Sequence, residues 1–355
     1  MIPTTTNSTT SRKPARFSLH DLPIEITSDV PALDAEIARV LGPYRVPSGF
    51  TGRAYPTSGV IRPYIESEVV RRLPPRARRV TATDAVGELY EDGERFWMID
   101  DRIGMVEINL LKSQWRAWLL PHPRVDAVRR AEAAVLWPMA QLLRMKGLHL
   151  LPAASVVRNG FGILLLSPVD VTPELTSLVR AGCRVVGQRW TALREQDGRV
   201  EMLHLPGVID RALSPHVRLM GGGSGATPAT SSAWMDLSRA HLNCEQRRAT
   251  CDGVFVIARG RRPAVHLRPL NGDSLDAIRA AWPIAELHPM RRHGQLPAKL
   301  AATCACYDVA LSRDPNDVVG LLGALPARGT GITVTTYVKG NAMGRPQPQR
   351  ATLAA

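Results

Sequence analysis

Residues 148–193, LHLLPAASVVRNGFGILLLSPVDVTPELTSLVRAGCRVVGQRWTAL, constrain this chain more than any other stretch. They read as strand, hairpin, strand, loop, helix, strand. Asn159-Gly160 separates the runs HLLPAASVV and FGILLLS, and Asn-Gly is a strong signal for a tight hairpin turn. FGILLL is apolar throughout, which fits a strand covered on both faces. ELTSLVRAG reads as a helix that stops at Gly182, and CRVVG as a short buried strand. A buried strand that passes through a short loop into a helix aims backbone amides and a helix N-terminus at one point, where an anion can bind.

The loop itself lacks the chemistry for that task. In a phosphate-binding loop, glycines let the backbone wrap the phosphates, a lysine reaches them, and a serine or threonine holds magnesium. Here the loop is Ser167-Pro168-Val169-Asp170-Val171-Thr172, with no glycine and no lysine. Asp170 would repel a phosphate. Thr172 is expected to cap the helix, with Pro173 at the first helical position and Glu174 in the first turn. The richest glycine cluster, Gly221 to Gly225, is not followed by Lys-Ser or Lys-Thr and has no clear strand before it, so it reads as a flexible loop or linker.

The remaining chain divides around this segment. Residues 1–15 and 340–355 read as disordered tails, 16–125 as a small α+β domain, and 126–339 as an α/β domain. In the first domain, IEITSDV fits a strand and PALDAEIARVLG a helix, with proline at its start and Gly42 after its end. RVTATDAVGELYEDGERFWMIDDRIGMVEINLLKSQWRAWLL reads as a meander of strands turning at Asp92-Gly93 and Ile103-Gly104. Asp100-Asp101 reads as a charged turn. Residues 125–146 have a helical period that Pro138 should kink or divide, and Gly147 suits the stop. Further on, GVFVIARGRRPAVHLRPL reads as a hairpin around Arg259 to Arg262, LDAIRAAWPI as a helix, CYDVALSR as a strand and PNDVVGLLGAL as a closing helix.

Composition limits the function classes. A 45% hydrophobic, 22% charged chain of 355 residues is of soluble globular type. No apolar run is long enough for a membrane helix, and the polar N-terminus has no secretory core, so a cytoplasmic location is expected. Five cysteines, an odd number, argue against a disulfide framework, and Cys244, Cys251, Cys304 and Cys306 lack zinc-knuckle spacing. His288 and His293 make a weak candidate metal pair. The net charge of +13 raises the prospect of an acidic partner. However, the densest basic run, Arg71-Arg72-Leu-Pro-Pro-Arg76-Ala-Arg78-Arg79, is broken by prolines and has no interleaved aromatic to stack bases, so it reads as a solvated loop.

Residues from about 137 to 325 resemble the bacterial HPr kinase/phosphorylase family, whose P-loop core is similar to that of phosphoenolpyruvate carboxykinase. The family pattern runs histidine, hairpin, Walker A loop, helix ending in Arg-Gly or Ala-Gly, and strand ending in two aspartates. His149, the turn at Asn159-Gly160, the run ILLL, LTSLVRAG and CRVVGQRWTAL follow that order. A lone histidine at a strand start is nonetheless read first as structural. The resemblance implies an α/β fold: an HPr-kinase-like P-loop core of mixed sheet and helices, with the small α+β domain before it.

The departures fall where that family binds nucleotide. Ser167, Asp170 and Thr172 stand in the place of the glycines and the Lys-Ser/Thr pair, and Gln188-Arg189 in the place of the two metal-binding acids. The expectation is a catalytically degenerate HPr-kinase-like protein that acts as a binding or regulatory module. It would have no catalytic, cofactor or metal residues and would engage a protein or peptide partner. The alternative is an atypical serine kinase or phosphotransferase using ATP and magnesium, in which arginines such as Arg180 and Arg189 grip the phosphates bidentately. A second alternative is nucleic-acid binding through the arginine surface, with affinity that falls steeply as salt rises. The resemblance leaves oligomers open.

Overall fold

The computed structural model describes residues 13–47, 56–63, 73–83, 87–121, 127–167, 171–205, 209–210, 234–235, 245–262, 266–270, 272–281, 295–312 and 314–323. The architecture is mixed α/β, with eight-, six- and four-stranded sheets and few helices. The chain separates into two units, Met1–Lys146 and Gly147–Ala355. The expectations for residues 1–12, for the C-terminal tail, for Gly221 to Gly225, for Cys244, for His288 and His293, and for Arg71 and Arg72 lie outside the described residues; Ala15, read as part of the first tail, begins β1. No helix among the described residues is long and apolar enough to cross a membrane.

The first unit is built on one sheet. Its strands are β1 (Ala15–Leu19), β2 (Leu22–Ser28), β3 (Thr57–Pro63), β4 (Arg78–Thr83), β5 (Gly87–Asp92), β6 (Arg95–Asp100), β7 (Gly104–Asn109) and β8 (Gln114–Leu119), in the order β1-β2-β3-β8-β7-β6-β5-β4. β4 to β8 form the expected antiparallel meander, while β3 runs parallel to both β2 and β8. Asp100 accepts hydrogen bonds from the amides of Arg102 (2.8 Å) and Ile103 (3.1 Å), which makes Asp100-Asp101 a turn as read. The β1–β2 hairpin was not anticipated. Its turn residues, His20 and Asp21, both have positive φ without a glycine to mark them.

Helix α1 (Pro31–Leu41) begins at proline as expected and buries Leu33, Ile37 and Leu41. Gly42 does not stop it in a left-handed conformation. Its φ of −52° carries the chain into a 3-10 turn, Gly42–Tyr44. The second helical segment runs through α2 (Ala127–Ala131), a π-helical turn (Glu132–Leu136) and α3 (Trp137–Arg144). Pro138 lies in the first turn of α3, so the proline divides the helix by way of a π turn. The arginine run meets acids on the neighbouring strand: Arg76 pairs with Asp92 at 3.0 Å, Arg79 with Glu88 at 2.7 Å, and Arg78 with Glu91.

The second unit contains β9 (Leu148–Leu151), β10 (Ala154–Arg158), β11 (Phe161–Leu166), α4 (Thr172–Arg180), β12 (Arg184–Gly187), β13 (Thr191–Gln196), β14 (Arg199–Leu203), β15 (Ile209–Asp210), β16 (Trp234–Met235) and β17 (Arg248–Thr250). After these come β18 (Gly253–Arg262), β19 (His266–Pro269), α5 (Ser274–Ala281), α6 (Leu296–Thr303), β20 (Ala305–Ser312) and α7 (Val318–Gly323). One sheet has the order β12-β10-β11-β18-β20-β19, a second has β17-β14-β13-β9, and β15 pairs with β16 in a third. β11 is buried at every residue and lies inside its sheet, as its unbroken apolar run requires. Ile163 and Leu165 join one core with Leu175, Leu178, Phe255, Tyr307 and Leu321.

On the other face of β11, a β-carbon at Gly162 would overlap the Thr250 carbonyl oxygen and press on Met202. Glycine is therefore what lets β17 and β14 of the second sheet approach β11. The hairpin expected around Arg259 to Arg262 is overturned. Those residues continue β18, and β19 pairs with β20, which lies between the two. The cause is tertiary, because β20 arrives from far along the chain and takes the hydrogen bonds that a hairpin would have used.

Candidate functional site

The sheet topology selects one edge. β10 is antiparallel to both β11 and β12, so those two strands are parallel to each other. β18 is parallel to β11, and β20 to β18. The carboxyl ends of β12, β11, β18 and β20 therefore open on the same side, the side on which parallel α/β sheets hold ligands. Ser155 of β10 pairs with Leu164 on one flank and Gly187 on the other. Gly187 is thus level with Leu164, two strand spacings or about 10 Å away, and β11 runs two residues, about 7 Å, further before the chain leaves at Leu166. Ser167 and Thr172 flank the first exit, and Gln188 and Arg189 form the second. Pro168, Val169 and Asp170 lie outside the described residues, so the placement expected for Asp170 does too.

Thr172 is not the cap that the sequence suggested. It is the first helical residue, preceded by Val171, and no side chain caps the helix. Its carbonyl accepts from the Thr176 hydroxyl at 2.9 Å. Ser177 donates to Pro173 O at 3.2 Å, and its hydroxyl lies 3.0 Å from Asn316 Oδ1. Glu174, in the first turn, is 2% exposed. The positive end of α4 therefore has a carboxylate of its own chain within one turn.

The second exit is also enclosed. Gln188 is 4% exposed, and neither amide atom has a hydrogen-bond partner among the described residues. Gly187 before it lies against Thr191 and the Trp190 carbonyl, where a β-carbon would overlap both. Thr191 donates to Ala153 O at 2.8 Å, so Ser155 donates its own hydroxyl to Thr191 Oγ1, also at 2.8 Å. This buried pair pins the turn that carries Gln188 and Arg189 from β12 into β13.

His149 belongs to the other sheet. It lies on edge strand β9 opposite Leu193 of β13 and is half-buried. The sequence reading missed His204 and Glu245. His204 is 8% exposed, and its Nδ1 lies 2.8 Å from Val186 O, so Nδ1 carries the proton. Nε2 faces Glu245 Oε1 at 3.6 Å. Leu205 and Glu245 form bridges along β12, to Gly187 and Val185, and place this pair beside the strand that ends at Gln188. His204 lies in RVEMLHLP, a stretch that in sequence gives no sign of its acidic partner.

No protein-family model and no curated protein matches the chain. Among solved structures it is similar to the Hpr(Ser) kinase/phosphatase from Coxiella burnetii, at 12% identity and a TM-score of 0.21, over 44% of this chain and 87% of that one.

Proposed function

We propose that this chain is a catalytically degenerate HPr-kinase-like protein that acts as a binding or regulatory module for a protein or peptide partner in the cytoplasm. The observation that carries the reading is Glu174. In a nucleotide-binding member of such a fold, the first turn of the helix after the loop meets phosphate. Here that turn holds a carboxylate that is 2% exposed, and a second anion placed beside it would be repelled. Gln188, buried where the family has an acid, removes a metal ligand and leaves a neutral amide. Both substitutions act on the same edge of one sheet.

Titration calorimetry with magnesium and ATP tests the reading, with no heat of binding and no thermal shift expected. A micromolar dissociation constant that Glu174→Ala or Gln188→Ala changes would overturn it. The kinase alternative draws on Arg189, which lies at the same carboxyl edge and could replace loop amides in holding phosphate. It requires transfer of labelled phosphate from ATP to a serine of a protein or peptide, lost in Arg189→Ala.

A further inference from the structure

At the opposite, amino-terminal edge of the same sheet, two cysteines lie side by side. Cys251 precedes β18 and Cys304 precedes β20, which is the parallel neighbour of β18. Gly253 and Ala305 are paired across those strands, and Ala305 N donates to Asp252 O at 2.9 Å. With strands about 4.8 Å apart and an offset of one residue, the two α-carbons are roughly 6 Å apart. That lies inside the range, about 4.4–6.8 Å, that a disulfide spans. Cys304 Sγ reaches Cys251 O at 3.1 Å, both residues are free thiols, and Cys304 is half-buried while Cys251 is 2% exposed.

We propose that Cys304 and Cys251 form a peroxide-reactive dithiol, with Cys304 as the attacking sulfur and Cys251 as the resolving one. The environment favours that division of labour. As a thiol, Cys304 donates to Cys251 O. As a thiolate, it accepts from the Cys251 S–H, and that bond is the main cause that lowers its pKa below the ordinary thiol value. The same hydrogen bond, followed by burial, raises Cys251 well above it. Cys306 and Cys183 are pushed up to about 11 by burial and stay protonated near neutral pH.

The chemistry balances with hydrogen peroxide as oxidant. The Cys304 thiolate attacks one peroxide oxygen, an S–O bond forms, the O–O bond breaks, and the leaving hydroxide takes a proton to become water. Cys251 then gives up its proton and attacks the Cys304 sulfur. The S–S bond forms, the S–O bond breaks, and the departing hydroxide with that proton makes a second water. Two thiols lose two electrons in all, and one peroxide gains them. The site is independent of the nucleotide question, because it lies at the other edge of the sheet.

The full chain, treated with hydrogen peroxide and mapped by peptide mass spectrometry without reduction, tests this. A loss of two hydrogens assigned to a Cys251–Cys304 cross-link is expected. In Cys251→Ser, Cys304 should stop at a sulfenic acid that a cyclic diketone traps; in Cys304→Ser, neither product should form. In the native wild type, Cys304 should alkylate at least about tenfold faster than Cys306. A cross-link between any other pair, or equal alkylation of Cys304 and Cys306, would overturn the proposal. Neither readout depends on a variant's folding.

Discussion

Trp115 Nε1 donates to the carbonyl of Ala134 at 2.8 Å. In an α-helix that carbonyl would receive the amide of residue 138, but residue 138 is proline and has no N–H. The indole of β8 thus supplies the donor that the helix sequence omits. Trp115 is held there by β3: it lies over Gly59, its cross-strand partner, where a β-carbon would overlap the indole ring.

Replacing Trp115 with phenylalanine keeps an aromatic ring but leaves a buried carbonyl unsatisfied. A loss of about 2 to 3 kcal/mol in urea denaturation is expected. Pro138→Ala restores a main-chain donor for Ala134 O. The double variant should therefore lose less than the sum of the singles, by about 1 kcal/mol. Strict additivity would mean that the indole bond contributes nothing specific.

Gly162→Ala drives a methyl into the Thr250 carbonyl and the Met202 side chain. Because one neighbour is backbone, it cannot simply rotate away. A destabilisation near the top of the overpacking range, about 3 kcal/mol, is expected. Gly93→Ala serves as the comparison. Gly93 has φ of +61° but open space around its α-carbon, so only conformational strain of about 1 kcal/mol should appear.

Gln188→Met keeps side-chain length and removes a buried amide that has no partner among the described residues. Stability should rise by about 1 to 2 kcal/mol, read as a higher denaturation midpoint at constant slope. A fall would show that the amide is engaged in the folded protein.

Cys183 should make stability fall in alkali. Burial lifts its pKa from 9.0 to about 11, against the opposing charge of Arg158. Below pH 9 the thiol is protonated in both states. Between about 9 and 11 the unfolded chain releases the proton while the fold retains it, so unfolding is favoured as pH rises. The loss should reach about 2 kcal/mol by pH 11. Cys183→Ala should flatten that slope, leaving the shares contributed by Cys306, whose thiol is raised to the same value by the same cause, and by Cys251, which is raised as well.

Arg78→Ala removes an exposed cross-strand pair with Glu91. The side chain is 70% exposed, so a loss below about 1 kcal/mol is expected, and it should shrink as salt is raised. A loss well above that, or one indifferent to salt, would mean that the arginine does more than pair on the surface.

Elements whose information is local were legible in the amino-acid order alone. Unbroken apolarity marked β11, Asn159-Gly160 marked the β10–β11 turn, Pro31 marked the start of α1, and the loop from Ser167 to Thr172 showed its missing glycines and lysine. Tertiary structure decided what depends on distant partners. β20 comes between β18 and β19 because it competes successfully for their edges, and no local pattern carries that outcome. The β1–β2 turn escaped notice because His20 and Asp21 hold left-handed backbone without glycine. The π turn before Pro138 is held in a form that supplies Trp115 with an acceptor. The burial of Glu174 and Gln188, on which the functional proposal rests, follows from packing around the carboxyl edge of the sheet, since a charge or an amide in a sequence does not show how far it will be removed from water.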